Sequence, residues 1–236
     1  MKLRATLLLA AALACVTPAI ASAPGRSPAP GDAATLDPLL ILPPPPADGS
    51  PAQQGELREL HMIQAQRSAE RFRQAQADAR RYDAVAIYAG TLGPRFNLAN
   101  LPATARVVGR LTRAQAVVKT RGKDEFKRRR PWASDPTLKG CDHSGDAPNT
   151  SYPSGHSTLA FSLGVLLADL MPEHAGAILS RASDYATSRM VCGVHYRSDI
   201  VGGQVLGASV TELFLHDPAN QADLAAARSE LRAAGL

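Results

Sequence analysis

Apolar positions recur at helical spacing through much of the chain. From Ser154 to Leu170 they include Leu159, Leu163, Val165, Leu166 and Leu167, which predicts a mostly buried helix that stops at or before Pro172. Glu173 to Met190 and Asp199 to Leu215 predict two more helices, and a polar helix over about Asn220 to Ala234 closes the chain. Upstream, Pro102 to Thr120 puts Val107, Val108, Leu111, Ala114 and Val118 at helical intervals. Gln53 to Arg81 has no Pro and one Gly among many Ala, Gln, Glu and Arg, the composition of a long polar helix. Lys139 to Tyr152 gathers Gly, Asp, Ser, Asn and Pro and reads as a loop. No stretch sustains the period-two alternation of a half-buried strand, and there is no internal repeat. The expected architecture is all-α, a single-domain helical bundle.

The first residues change that picture. Lys2 and Arg4 precede an unbroken run of Ala, Leu and Thr from Ala5 to Ala14, and Ala21-Ser22-Ala23 offers an A-x-A cleavage site. The run is too short to span a bilayer, so residues 1–23 read as a signal peptide that is removed, and the protein as periplasmic or secreted. Lipid modification of Cys15 is the weaker rival, because Leu13 stands one position late for a lipoprotein box. Removal of the signal leaves Cys141 and Cys192. An even count in an exported chain favours one disulfide, two buried thiols being the alternative. Residues 24–52, with Pro43 to Pro46, read as a linker-like leader in which only Leu39 to Leu42 is placed to dock, and residues 53–236 as the domain. Beyond the signal, Asp169 interrupts Leu159 to Met171, and Gln204, Thr211 and Glu212 interrupt Ile200 to Leu215, so no membrane span is expected. The net charge of +5 favours anionic partners without choosing among them.

Candidate chemistry sits in three clusters. In the first, Lys123 and Arg130 stand seven apart, which on a helix would place both on nearly one face, a point charge and a planar fork suited to phosphate. Alone, the run Lys127 to Arg130 reads more simply as a solvated basic face. The second is Pro153-Ser154-Gly155-His156 at a helix start, where N–H groups bind anions and Gly lets a ligand approach. A given tetrapeptide arises by chance about once per hundred thousand positions. The third runs from Ser188 and Arg189 to His195 and Asp199. A carboxylate bonded to one imidazole nitrogen leaves the other as a nucleophile, although such a pair equally serves to brace a helix start.

Taken together, these residues fit K-x6-R-P, P-S-G-H and S-R-x5-H-x3-D. The chain thereby resembles the superfamily of type 2 phosphatidic acid phosphatases, bacterial class A non-specific acid phosphatases and vanadium haloperoxidases. Leu101 to Ala105, Thr120 to Lys123, Ser151 to Pro153 and Val191 to Gly193 look like the class A group, whereas Trp132 replaces its usual Phe. The resemblance covers about Asp83 to Arg232. It implies that Lys123, Arg130, Arg189, Ser154 and Gly155 bind phosphate, that His195 attacks phosphorus, that Asp199 orients it and that His156 carries the proton. It also implies broad phosphate monoesters as substrates (nucleotides, sugar phosphates, aryl phosphates), no cofactor, no metal and a homo-oligomer. A vanadate-dependent haloperoxidase or a nucleotide diphosphohydrolase on the same site are the alternatives. No paired Cys/His spacing for zinc is present, and His61, His143, His174 and His216 stand singly, His143 being placed to line the site's rim. A nucleic-acid-binding reading fails to account for the two His clusters and finds too few aromatics, at 5% of the chain.

Overall fold

A computed structural model describes residues 32–236. The expected signal peptide, Cys15 and the start of the leader lie outside the described residues. Ten α-helices and no strand occur among those described. They are α1 (Pro38–Ile41), α2 (Pro51–Gln66), α3 (Ala69–Ala79), α4 (Ala84–Leu92), α5 (Pro102–Phe126), α6 (Pro131–Ser134), α7 (Gly155–Leu170), α8 (Ala175–Val191), α9 (Arg197–His216) and α10 (Gln221–Ala233). The all-α expectation is met.

The middle of the bundle is α7, which packs against α9, α8 and α5. Its Leu159, Leu163, Leu166 and Leu167 are fully buried, each contributing about 1.5–3 kcal/mol of transfer free energy. Close approach of α9 depends on Gly203 and Gly207. A Cβ at these positions would fall 2.6 Å from the Ser154 carbonyl oxygen and 2.5 Å from that of Thr158. The start of α5 has no cap from Leu101. Glu230 of α10 supplies one, accepting the N–H groups of Ala103 and Thr104 at 2.9 and 2.8 Å.

Several elements depart from the expected pattern. The long polar helix over Gln53 to Arg81 is two helices, α2 and α3. Arg67 is extended between them and gives its guanidinium to the carbonyls of Val191 and Lys139, while Ser68 caps α3 on the Arg71 N–H at 3.1 Å. Composition favoured helix throughout, but the tertiary bonds of Arg67 and the cap outweigh it. Helix α4 was not foreseen, because Ala84 to Ala89 is nearly uniformly apolar and shows no period; Asp83 caps it on Ala86 at 2.8 Å. Helix α5 runs on to Phe126 and ends at Lys127 in the left-handed conformation, φ 46°. Arg130 is therefore the extended residue just ahead of α6, and the one-helix geometry expected for Lys123 and Arg130 does not hold.

The described part of the leader is packed rather than free. Ala33 and Leu42 are buried in the main core, whereas Leu39 and Leu40 are exposed. Backbone carbonyls hold it too, Leu36 accepting from Arg121 and Pro43 from the Tyr152 hydroxyl, both at 2.9 Å. Cys141 and Cys192 are joined by a disulfide with Cα atoms 4.8 Å apart, tying the loop after α6 to the end of α8. No helix among the described residues is long and apolar enough to cross a membrane.

Candidate active site

Between α8 and α9 the chain turns through Gly193, at φ +68°, and delivers His195 just before the Tyr196 that precedes α9. Asp199 lies in the first turn of α9, where a carboxylate suits the unpaired N–H groups. Its Oδ2 accepts from the Tyr196 N–H at 2.8 Å and the Ser151 hydroxyl at 2.5 Å, and lies 3.2 Å from His195 Nδ1. Its Oδ1 accepts from Arg128 Nη1 at 2.6 Å. Because an ionised carboxylate only accepts, Nδ1 carries the imidazole proton and Nε2 keeps its lone pair. Arg128 also donates to Glu56 of α2 at 2.7 Å and lies over the Tyr196 ring at 4.0 Å. A chain of charges, Glu56–Arg128–Asp199–His195, thus fixes the imidazole from behind.

In front of Nε2 stand the cations. Arg130 is anchored by its N–H to the Pro148 carbonyl at 2.7 Å, and its Nη1 lies 3.0 Å from His195 Nε2 and 3.1 Å from the Val194 carbonyl oxygen. Lys123, on the last turn of α5, gives its ammonium to the Thr150 carbonyl. Arg189, on the last turn of α8, is 4% exposed, and its Nε and Nη1, like Arg130 Nε, are buried without a partner. A buried donor left unmade costs about 1–3 kcal/mol, more when charged. Burial, with Arg130 adding to it, pushes the Lys123 ammonium down to about 7. On this side Asp146 Oδ2 lies 3.3 Å from Arg130 Nη1 as an ion pair, with no hydrogen bond to Arg189 or Lys123.

The start of α7 completes the pocket. Ser154 is buried and accepts the Ser157 N–H at 3.4 Å as cap, while its own N–H donates to the Asp199 carbonyl at 3.0 Å. Gly155 opens the helix; a Cβ there would press on Lys119 Cδ at 3.1 Å and the Tyr82 hydroxyl at 3.3 Å. The N–H groups of Gly155 and His156 have no acceptor within the helix. His156 Nε2 lies 3.3 Å from the Ala79 carbonyl oxygen, with the Tyr82 ring edge-on at 4.9 Å and Tyr185 at 5.7 Å. Burial, then the charge of Arg189, holds His156 well below the usual imidazole range. Burial, then Arg130, Lys123 and Arg189, does the same for His195. Both shifts favour the neutral imidazole.

Lys123, Arg130, Ser154, Gly155, His156, Arg189 and Asp199 are therefore brought around His195 by α5, α7, α8, α9 and the segments that lead into α6, α7 and α9. Sequence reasoning missed what stands behind them. Arg128 sat in the same basic run but looked solvated; it is buried and bonded to Asp199 and Glu56, whereas Arg129 is exposed. Ser151 stood out only within the run Ser151 to Pro153 and without a role, and Glu56, Tyr82 and Tyr185 carried no local signal. Trp132 stacks on His143 with ring centroids 4.3 Å apart, and His61 pairs with Asp135 at 2.8 Å. Among the described residues, no group of three or more His, Cys, Asp or Glu is arranged to hold a metal ion.

The profile described as PAP2 superfamily matches residues 105–223. The chain belongs to the PAP2 superfamily. It is 34% identical over 202 residues to a protein of Zymomonas mobilis named acid phosphatase, covering 84% of this chain and 76% of that one. It is 29% identical over 197 residues to the non-specific acid phosphatase of Salmonella typhimurium, covering 81% and 79%. Among solved structures, a transmembrane PAP2 type phosphatidylglycerolphosphate phosphatase from Bacillus subtilis shares the fold, with a TM-score of 0.50 at 19% identity, over 70% of this chain and 85% of that one. Glu56 and Ala79, which brace the two histidines, lie outside the segment that the family profile covers.

Proposed function

We propose that this protein is an exported acid phosphatase that hydrolyses phosphate monoesters through a phosphohistidine on His195, without a metal. The observation that carries the reading is the lone pair of a buried, carboxylate-oriented imidazole beside two buried guanidinium groups, Arg130 with an unpartnered Nε and Arg189 with unpartnered Nε and Nη1. Phosphoryl transfer spreads charge over three equatorial oxygens, so placed cations supply most of the stabilisation. Lys123, Arg130, Arg189 and the N–H groups at the start of α7 take those oxygens. Nε2 of His195 forms the N–P bond as the P–O ester bond breaks, and Asp199 balances the resulting cation. His156, with one nitrogen on the Ala79 carbonyl, gives a proton from the other to the departing alkoxide. It then takes one from the water that breaks the N–P bond and releases phosphate.

An acidic working range follows from the same charges. Lys123 loses its proton as pH rises through about 7 in the empty pocket, weakening anion binding above that point. His156 is held neutral by burial and Arg189 until a bound phosphate dianion offsets them. Nucleotides, sugar phosphates and aryl phosphates all present the one group the pocket reads. Export rests on the pattern of residues 1–23, and metal independence on three side-chain cations doing the work a metal would do.

The test is turnover of p-nitrophenyl phosphate by wild type and His195→Ala, with acid-quenched enzyme assayed for N-linked phosphate. Wild type retains activity in chelator and forms the labelled histidine. His195→Ala loses activity by a factor on the order of 10³ or more. Equal turnover in the mutant disproves the mechanism.

A further inference from the structure

The loop between α6 and α7 reaches Arg130, and the side chain through which it does so has no place in the mechanism above. Asp146 closes a turn by donating its N–H to the His143 carbonyl at 2.8 Å, and its Oδ2 lies 3.3 Å from Arg130 Nη1. That nitrogen carries two hydrogens but faces three acceptors, since His195 Nε2 and the Val194 carbonyl oxygen lie 3.0 and 3.1 Å away. The carboxylate makes an ion pair with Nη1, not a well-formed hydrogen bond. Its side chain is 31% exposed, so water can take it when it leaves. Its charge also acts on Arg189 and Lys123, where it opposes the effect of burial.

We propose that Asp146 is a displaceable carboxylate that occupies the anion pocket when it is empty and sets phosphate affinity by competing for Arg130. A phosphate dianion displaces it because it brings more charge and enough oxygens to meet Arg130, Arg189 and Lys123 together. Asp146 thus tunes KM and product inhibition without taking part in bond making. The consequence runs against the usual direction of a mutation near an active site, because removing this side chain tightens binding.

The inference rests on the reading of the pocket as a phosphate site, and the experiment keeps the two apart. Inorganic phosphate is titrated calorimetrically into wild type, Asp146→Asn and Asp146→Glu, with KM and kcat for p-nitrophenyl phosphate measured on each. In Asp146→Asn the phosphate Kd falls about two- to fivefold, the scale of a partly exposed charge pair. KM falls with it, while kcat stays level or drops as product leaves more slowly. Asp146→Glu returns the affinity toward that of wild type. Wild type that neither binds phosphate nor turns over substrate overturns the phosphatase reading itself. Active wild type together with unchanged or weaker binding in Asp146→Asn overturns the role of Asp146 alone. Weakening in both variants assigns Asp146 to holding the loop and likewise overturns it.

Discussion

Arg128 and Arg189 are equally buried, each 4% exposed; Arg128 bonds Asp199, and the charge of Arg189 acts on His195. Their surroundings are opposite. Arg128 meets Asp199 at 2.6 Å, Ser198 Oγ at 2.6 Å and Glu56 at 2.7 Å, and only its Nε lacks a partner. Arg189 has Nε and Nη1 buried and unpaired. Burial draws both guanidinium pKa values down. At Arg128 the charges of Asp199 and Glu56 reverse that effect, whereas at Arg189 burial prevails. Arg128 has its counter-charge built in as bonded carboxylates, whereas at Arg189 Asp146 acts only through its charge and the donors stay unbonded. The pocket is therefore finished on the side that holds the imidazole and left open on the side that meets the anion.

The comparison predicts effects of opposite sign for one substitution. Arg128→Met strands Asp199 and Glu56 in the interior and removes the hold on His195. Breaking a buried pair from one side costs about 3–5 kcal/mol, so the urea midpoint falls sharply and activity falls with it. In Arg189→Met the protein loses a cation for the equatorial oxygens, and kcat/KM drops by about 10²–10³. Its thermal midpoint holds or rises, because an unpaired buried charge has been replaced by an apolar chain. If Arg189→Met melts as early as Arg128→Met, the distinction between the two arginines is wrong.

That distinction marks the limit of what the sequence could disclose. The helices α7, α8, α9 and α10 were legible from periodicity, since each lays an apolar face on the core. The residues of the pocket were legible because three spaced clusters are far more specific than any one. Arg128 was not, since in the run Lys127 to Arg130 nothing local tells a buried base from a solvated one. Glu56 was hidden for a different reason: its partner is more than seventy positions away, and the helix that carries it looked uniformly polar. The break at Arg67 was invisible because its cause, the carbonyls of Val191 and Lys139, lies across the fold. The leader misled through composition, which describes chain stiffness but not what the chain lies against. Its Pro-rich run follows Leu42, buried in the core, and Pro43 receives the Tyr152 hydroxyl.

The open side also predicts how pH enters. In the free enzyme, burial and Arg189 depress His156, and burial and Arg130 depress Lys123 to about 7. Both shifts favour loss of the proton, so the alkaline limb of kcat/KM, which reports the free enzyme, is drawn to lower pH. A bound phosphate dianion cancels part of the positive field and restores the protonated forms. The alkaline limb of kcat therefore lies above that of kcat/KM, measured on one substrate at constant ionic strength. Coincident limbs would mean that the cations do not govern the proton on His156.

The smallest effect tests the finished side at its outer edge. Tyr152 is buried against Phe126, edge-on at 4.9 Å, just before the segment that opens α7, and burial raises its hydroxyl to about 12. It is therefore a neutral donor throughout the working range, and its proton goes to the Pro43 carbonyl at 2.9 Å. Tyr152→Phe keeps the ring and removes that bond, for a loss of about 0.5–1.5 kcal/mol in urea unfolding. Because Ser154 remains fixed by the Asp199 carbonyl at 3.0 Å, kcat and KM should change less than twofold, roughly the kinetic equivalent of 0.4 kcal/mol. A loss of activity larger than the loss of stability would show instead that the leader helps to aim the anion site, and that the finished side extends out to Pro43.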